Sequence, residues 1–325
     1  MKDPAPAVRE SARVGMRART WYRTSDEGGQ VAVLFALFLA VLAGAAAMAT
    51  DVGSWYRADR AAQATADAAA LAGAQGLHLS TADAAALAEE YAEKNGGGDV
   101  TITFATRVVP NDLITVSVSR PAPGYFSKVF GIEEVQVEAR ATARAGIPSK
   151  ARRVAPIAVD ERHPMLQCGC WGEPTQLALR NLHDPGGSDA AGAFSLVNLD
   201  SIYNGGNIGA ETLAEWILDG YEDELPLGIY RSAPSADFNS GHVRSAINAR
   251  LRTELLLPVY RSIVEGGSQA EYEIVAWVGF VPTSFTGGGS RGTIHGYFTQ
   301  VIWHGLADES GTVPDLGVRT ISLVE

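Results

Sequence analysis

The run Val31–Ala49, VAVLFALFLAVLAGAAAMA, constrains this chain more than any other feature: nineteen consecutive residues without a charge or a strong polar group. As a helix it is about 28 Å long at about 1.5 Å per residue, close to the roughly 30 Å hydrocarbon thickness of a bilayer. A helix apolar on every face needs either a large core around it or lipid as its solvent. Asp51 ends the run. Residues 1–30 carry six basic groups (Lys2, Arg9, Arg13, Arg17, Arg19 and Arg23) against four acidic ones, whereas Asp51, Arg57, Asp59 and Arg60 beyond the run cancel. An excess of Lys and Arg holds its flank in the cytoplasm. The expected organisation is a cytoplasmic basic segment (1–30), a transmembrane helix (31–50) and an exported remainder, a single-pass protein of the cell membrane. Ala47-Met48-Ala49 also has the A-x-A form of a signal-peptidase site. The long basic segment before the run and the helical pattern after it favour an uncleaved anchor.

Within the anchor Ala32, Ala36, Ala40 and Gly44 recur every four residues. Small residues at that spacing let two helices approach closely in lipid, so this is the expected helix-packing face for a homo-oligomer. The chain's net charge is -11, and the basic N-terminal segment leaves the exported part more acidic still. That part holds no Lys/Arg cluster, which excludes nucleic acid as a partner, because such affinity rests on neutralised phosphates. The lipid bilayer is the partner that the apolar run fits.

After Asp51 the sequence remains Ala-rich and free of Pro as far as Gly76. Asp59, Gln63 and Asp67 fall on one i,i+4 line, while Ala62, Ala66, Ala69 and Gly73 face another way. A helix continuing the anchor is expected, with a shallow methyl face suited to close packing.

Glu27–Ala74 resembles the N-terminal segment of the TadG-like branch of the tight-adherence (Flp) pilus assembly proteins. Gly29, Val31, Ala32, Val33, Phe35 and Ala36 form the start of the motif; Asp51, Arg60, Gln63, Asp67, Ala68, Ala69, Ala70, Leu71 and Ala72 carry it to its end. The resemblance implies a membrane-bound component of pilus assembly or secretion at the cell surface. Leu34 stands where prepilin-peptidase substrates carry Glu, so prepilin-type processing is not implied. No Asp-x-Ser-x-Ser string of an ion-dependent adhesion unit occurs either.

The expected fold class is α+β. Ser80 caps a helix to Lys94, with Asp83 in the capping-box place. Period-two alternation marks strands at Thr101–Val109 and Leu113–Arg120 around the turn Pro110-Asn111-Asp112. A short helix at Tyr125–Phe130 and a strand at Glu134–Ala145 complete a three-stranded antiparallel sheet in a unit spanning 51–146. Gly146–Lys150 reads as a linker to an exported C-terminal domain, 147–325, of mixed α+β or mainly β type. Helices are expected there at Glu211–Leu218 and at Ser240–Val264, the second kinked at Pro258, and strands at Glu271–Val281, Gly292–Val301 and Val318–Val324. The loops Asp184–Asp189 and Ser201–Gly206 read as surface turns. Trp171, Trp216, Tyr221, Tyr230, Tyr260, Trp277 and Trp303 read as core residues.

Two cysteines, Cys168 and Cys170, cannot frame a disulfide scaffold. They read as a local bridge, a thiol pair or a redox pair; flanking His163 and His183 match no zinc spacing. No nucleophile elbow, zincin helix, P-loop or dinucleotide fingerprint is present, so no catalytic residue, metal or cofactor is assigned. The leading expectation is a non-enzymatic assembly component; the alternative is an adhesive or carbohydrate-binding surface module.

Overall fold

A computed structural model of the chain describes residues 28–179, 193–203, 206, 208–233, 240–264, 270–288 and 291–324. The basic segment before Gly28, the Asp184–Asp189 loop and His183 lie outside them, as do two residues of the Ser201–Gly206 loop. The anchor and the Ala-rich segment form one unbroken helix, α1 (Gly28–Gly76), about 74 Å long at about 1.5 Å per residue. From Gly29 to Thr50 every residue except the partly buried Ala47 is exposed; from Asp51 onward one face becomes buried.

Helix α2 (Thr81–Lys94) folds back on α1. Ser80 Oγ accepts the Asp83 N–H at 3.0 Å and donates to the Asp83 carboxylate at 2.6 Å, the expected cap. Ala84, Ala88 and Ala92 of α2 meet Ala66, Ala69, Ala70 and Ala74 of α1. Methyl groups alone separate the helices there. Gly76 shows how closely: a Cβ on it would sit 2.7 Å from the Ala84 Cα.

Strands β1 (Asp99–Ala105), β2 (Leu113–Pro123) and β3 (Glu134–Gly146) form the expected antiparallel meander. Ile114, Val116 and Val118 of β2, with Ala141 and Ala143 of β3, seal the alanine face of the helices. The expected helix at Tyr125–Phe130 is a 3-10 turn over Ser127–Phe130. Gly146–Lys150 is not a free linker. After Gly146 ends β3, Pro148–Ala151 is strand β4, and the Ile147 carbonyl accepts the Asp308 N–H at 2.7 Å.

The C-terminal part is mainly β. Its large sheet contains β5 (Ile157–Asp160), β6 (Thr175–Leu179), β7 (Ala193–Asn198), β9 (Gly228–Ser232), β10 (Leu255–Val264), β11 (Glu271–Gly288) and β12 (Arg291–Thr299). Pairing runs β10-β5-β7-β6-β12-β11 and returns from β11 to β10, closing a barrel, with β9 bridging β11 and β7. The short helix α3 (Pro164–Gln167) lies between β5 and β6; α4 (Ala210–Leu218) and α5 (Gly241–Ala249) pack on the barrel through Leu213, Ile217, Val243 and Ile247. Strand β8 (Leu225–Pro226) joins β4 and β14 (Gly305–Ala307) in a small third sheet.

Two expectations are corrected here. Ser240–Val264 is not one kinked helix: α5 ends at Ala249 and Leu255–Val264 is a barrel strand containing Pro258. Leu255, Leu257 and Val259 enter the core beneath α4 and α5, while Leu256 and Tyr260 enter a second one. A strand buried on both faces reads as a continuous apolar run, which periodicity cannot distinguish from a buried helix. The second correction concerns β15 (Val318–Val324), expected within the C-terminal domain. It pairs antiparallel with β3, and β13 (Val301–Ile302) pairs beside it, so the first sheet has five strands rather than three.

Candidate functional site

The family motif residues lie along α1 and divide by environment. Gly29 and Phe35 are exposed on the apolar half, as is the Ala32, Ala36, Ala40 and Gly44 row; a Cβ on Gly44 would meet nothing within 4 Å. The row is exposed together with the rest of the apolar half.

Asp51 is buried where the apolar run ends, and its carboxylate accepts the N–H groups of Tyr125 (2.8 Å), Phe126 (3.1 Å) and Ser127 (2.6 Å). Burial alone would raise its pKa, but these backbone donors outweigh it and hold the carboxyl below 3.8. The N-terminal N–H groups of a tight turn are natural donors to an anion, and here a side chain of the chain itself supplies it. One turn further along, Ser54 Oγ donates to the Pro123 carbonyl at 3.4 Å.

Gln63 Nε2 donates to the Asp67 carboxylate at 2.8 Å and to the Arg140 carbonyl at 3.2 Å, so this motif pair ties α1 to β3. Gln63, Asp67, Arg140, Thr142 and Leu323 line a groove of about 740 Å³ between α1 and the β3-β15 edge. Leu71 lines a neighbouring groove with Gln75, Trp303 and Thr320. The spaced row Gln63, Asp67 and Leu71 therefore faces the sheet margin, while the adjacent alanines fill the interface with α2.

A buried charge cluster joins the first sheet to the C-terminal part, and nothing in the sequence pattern singled it out. Arg144 on β3 is 1% exposed; its Nε donates to the Asp112 carboxylate at 3.0 Å, Nη1 to Glu309 at 2.7 Å and Nη2 to the Asp308 carbonyl at 2.8 Å. Asp112 also accepts the N–H groups of Arg107 and Val108. Burial would raise the Asp112 pKa, yet these donors and the guanidinium carry it below 3.8. Asp308 is likewise held low against its burial, by the hydroxyl of Ser310 and backbone N–H groups.

Cys168 and Cys170 are bonded to each other at the end of α3, consuming both thiols in one local ring. His163 is buried and accepts the Met165 N–H at 3.2 Å, capping α3. Burial pushes its pKa below 6.5, against the Gln176 backbone and the Asp160 charge. Its ring nitrogen thereby serves as the helix cap. Among the described residues no three His, Cys, Asp or Glu side chains converge to hold a metal ion. Tyr221, Tyr230, Tyr260 and Trp277 are buried, and Trp171, Trp216 and Trp303 pack partly buried against the same cores.

α1 is the one helix among the described residues long and apolar enough to cross a membrane. No curated protein and no solved structure matches the chain. Residues 29–76, almost the whole of α1, match the Tad family model described as "Putative Flp pilus-assembly TadE/G-like", so the N-terminal segment of this protein is similar to TadE/G-like proteins and coincides with the candidate membrane-spanning helix.

Proposed function

We propose that this protein is a non-enzymatic, membrane-anchored component of Flp/Tad-type pilus assembly or secretion, with residues 1–30 in the cytoplasm and everything beyond Asp51 outside. The family match over α1 is the observation that carries this reading. The geometry agrees with it. One half of α1 exposes a long apolar run, and the other half is the spine of the packed first unit. The arginine-rich flank supports the orientation. The small-residue row Ala32, Ala36, Ala40 and Gly44 is the proposed contact with a second anchor helix, and the acidic outer unit is the proposed contact with envelope partners.

The test is made in the native host. Membranes are extracted at alkaline pH, intact cells are treated with an external protease, and a gene deletion is scored for surface pili. Retention in the membrane, digestion from outside and loss of pili are expected. A soluble product beginning at Thr50 would remove the anchored reading, and normal piliation of the deletion strain would remove the assembly role.

A further inference from the structure

The tip of the β2-β3 hairpin exposes an apolar cluster that the first unit does not use. Val129 and Phe130 are each 84% exposed, and Tyr125, Phe126 and Ile132 are also exposed. Contiguous apolar surface of this kind marks an interaction site. Its location identifies the partner. Three contacts track the hairpin down α1: Gln63 meets Arg140, Ser54 meets Pro123, and Asp51 meets Tyr125, Phe126 and Ser127. The hairpin therefore runs toward the apolar half of the helix, and the residues beyond Ser127 form its leading end. Ala47, one turn deeper on the Asp51 face, is the single partly buried residue of Gly29–Thr50, and α1 touches the 3-10 turn.

We infer that this tip is a second membrane-docking element, seated in the headgroup and upper acyl region beside the anchor. The inference rests on the anchored reading of α1. With Val31–Thr50 spanning the roughly 30 Å hydrocarbon core, Asp51 marks its outer boundary, and the headgroup zone extends only about 5 to 8 Å beyond. A turn bonded to the Asp51 carboxylate cannot stand clear of that zone. Its side-chain chemistry suits the depth: aromatic rings and aliphatic groups prefer the boundary, and Lys128 can extend its ammonium toward the headgroups. Glu133 and Glu134 follow the tip, so apolar burial rather than attraction to anionic lipid drives the docking. The tip is braced for this by its own hydrogen bonds, Ser127 Oγ to the Ile132 carbonyl at 3.1 Å and the Gly124 N–H to the Glu133 carbonyl at 2.9 Å. Docking at two points fixes the tilt of the outer unit against the bilayer, which a single helix would leave free.

The full chain, reconstituted in phosphatidylcholine/phosphatidylglycerol vesicles, tests this with an environment-sensitive fluorophore on single introduced cysteines: Phe130→Cys, Leu37→Cys in the anchor and Glu90→Cys on α2. The native cysteines are bonded to each other and do not react without reductant. Blue-shifted emission at position 130, quenched most by lipids spin-labelled near the headgroup, is expected, with position 37 quenched most by deep labels and position 90 by neither. Quenching at 37 but not at 130 overturns the docking and leaves the anchor standing. No quenching at either removes the anchored reading, and the docking with it. A blue shift at 130 without quenching means that protein covers the tip, which also overturns the proposal. Val129→Cys repeats the measurement at an equally exposed position.

Discussion

The two halves of α1 share a backbone, a composition rich in alanine and an unbroken hydrogen-bond ladder, yet one is exposed and the other is packed. From Gly29 to Thr50 large side chains such as Leu34, Phe35 and Phe38 point outward in all directions. From Asp51 to Gly76 the large residues give way to Ala and Gly, and the helix lies flush against α2 and β2. Bulk is thus placed where the helix is exposed, and smallness where it meets protein. Apolar character alone does not assign a helix to a membrane; the distribution of side-chain size along it does, because lipid tails adapt to any shape and a packed interface does not.

The largest effect in the comparison comes from removing the lock on the packed half. Arg144→Ala leaves the Asp112 carboxylate buried without its partner, and breaking such a pair costs about 3–5 kcal/mol. Loss of protease resistance in residues 81–146, with membrane retention unchanged, is the expected result; simultaneous loss of both would show that the halves do not fold independently. Next in size is Gly76→Leu, which drives a side chain into the α2 backbone at an overpacking cost of about 1–3 kcal/mol. Denaturant titration in detergent measures it, with Gly44→Leu as the reference change. The same substitution at Gly44 has open space around it and leaves the midpoint where it was.

Smaller effects sharpen the boundary between the halves. Asp51→Ala removes the acceptor for three N–H groups, so amide exchange at Tyr125, Phe126 and Ser127 accelerates while α2 keeps its protection. Asp51→Asn keeps one acceptor oxygen and falls between. Acidification acts on the buried carboxylates beyond α1. Asp112 and Asp308 have folded pKa values below 3.8, so they contribute stability that is fully present above the unfolded value and is lost as pH falls through the folded ones. A fall in the melting temperature of the outer part below about pH 4, with no release from membranes, is expected. Smallest for the fold, but decisive for the small-residue row, is Gly44→Leu read by crosslinking: the folded unit is untouched and helix association falls.

Much of this was legible because it is local. An apolar run of bilayer length, the Ser80 cap, the alternation in β1 to β3 and the family motif all lie within short windows, where side-chain chemistry and chain geometry act directly. The motif residues were identifiable too, although their tasks were not: Asp51 reads as the end of an anchor and turns out to hold a turn more than seventy residues away. Alternation on β3 puts Arg144 on the polar face with Arg140 and Glu138, and only the Asp308–Glu309 loop, arriving from the C-terminal part, makes it a buried charge.

By itself the sequence determined where the chain can meet lipid, which segments carry helical or strand periodicity, and which residues must be small. Tertiary structure alone decided that Leu255–Val264 is a strand, that β15 returns to the first sheet, and that the barrel closes from β11 to β10. The physical reason is the same for all three. Strand pairing satisfies backbone groups that every residue possesses, so the choice of partner is settled by which distant surfaces fit together and not by the side chains within any one window.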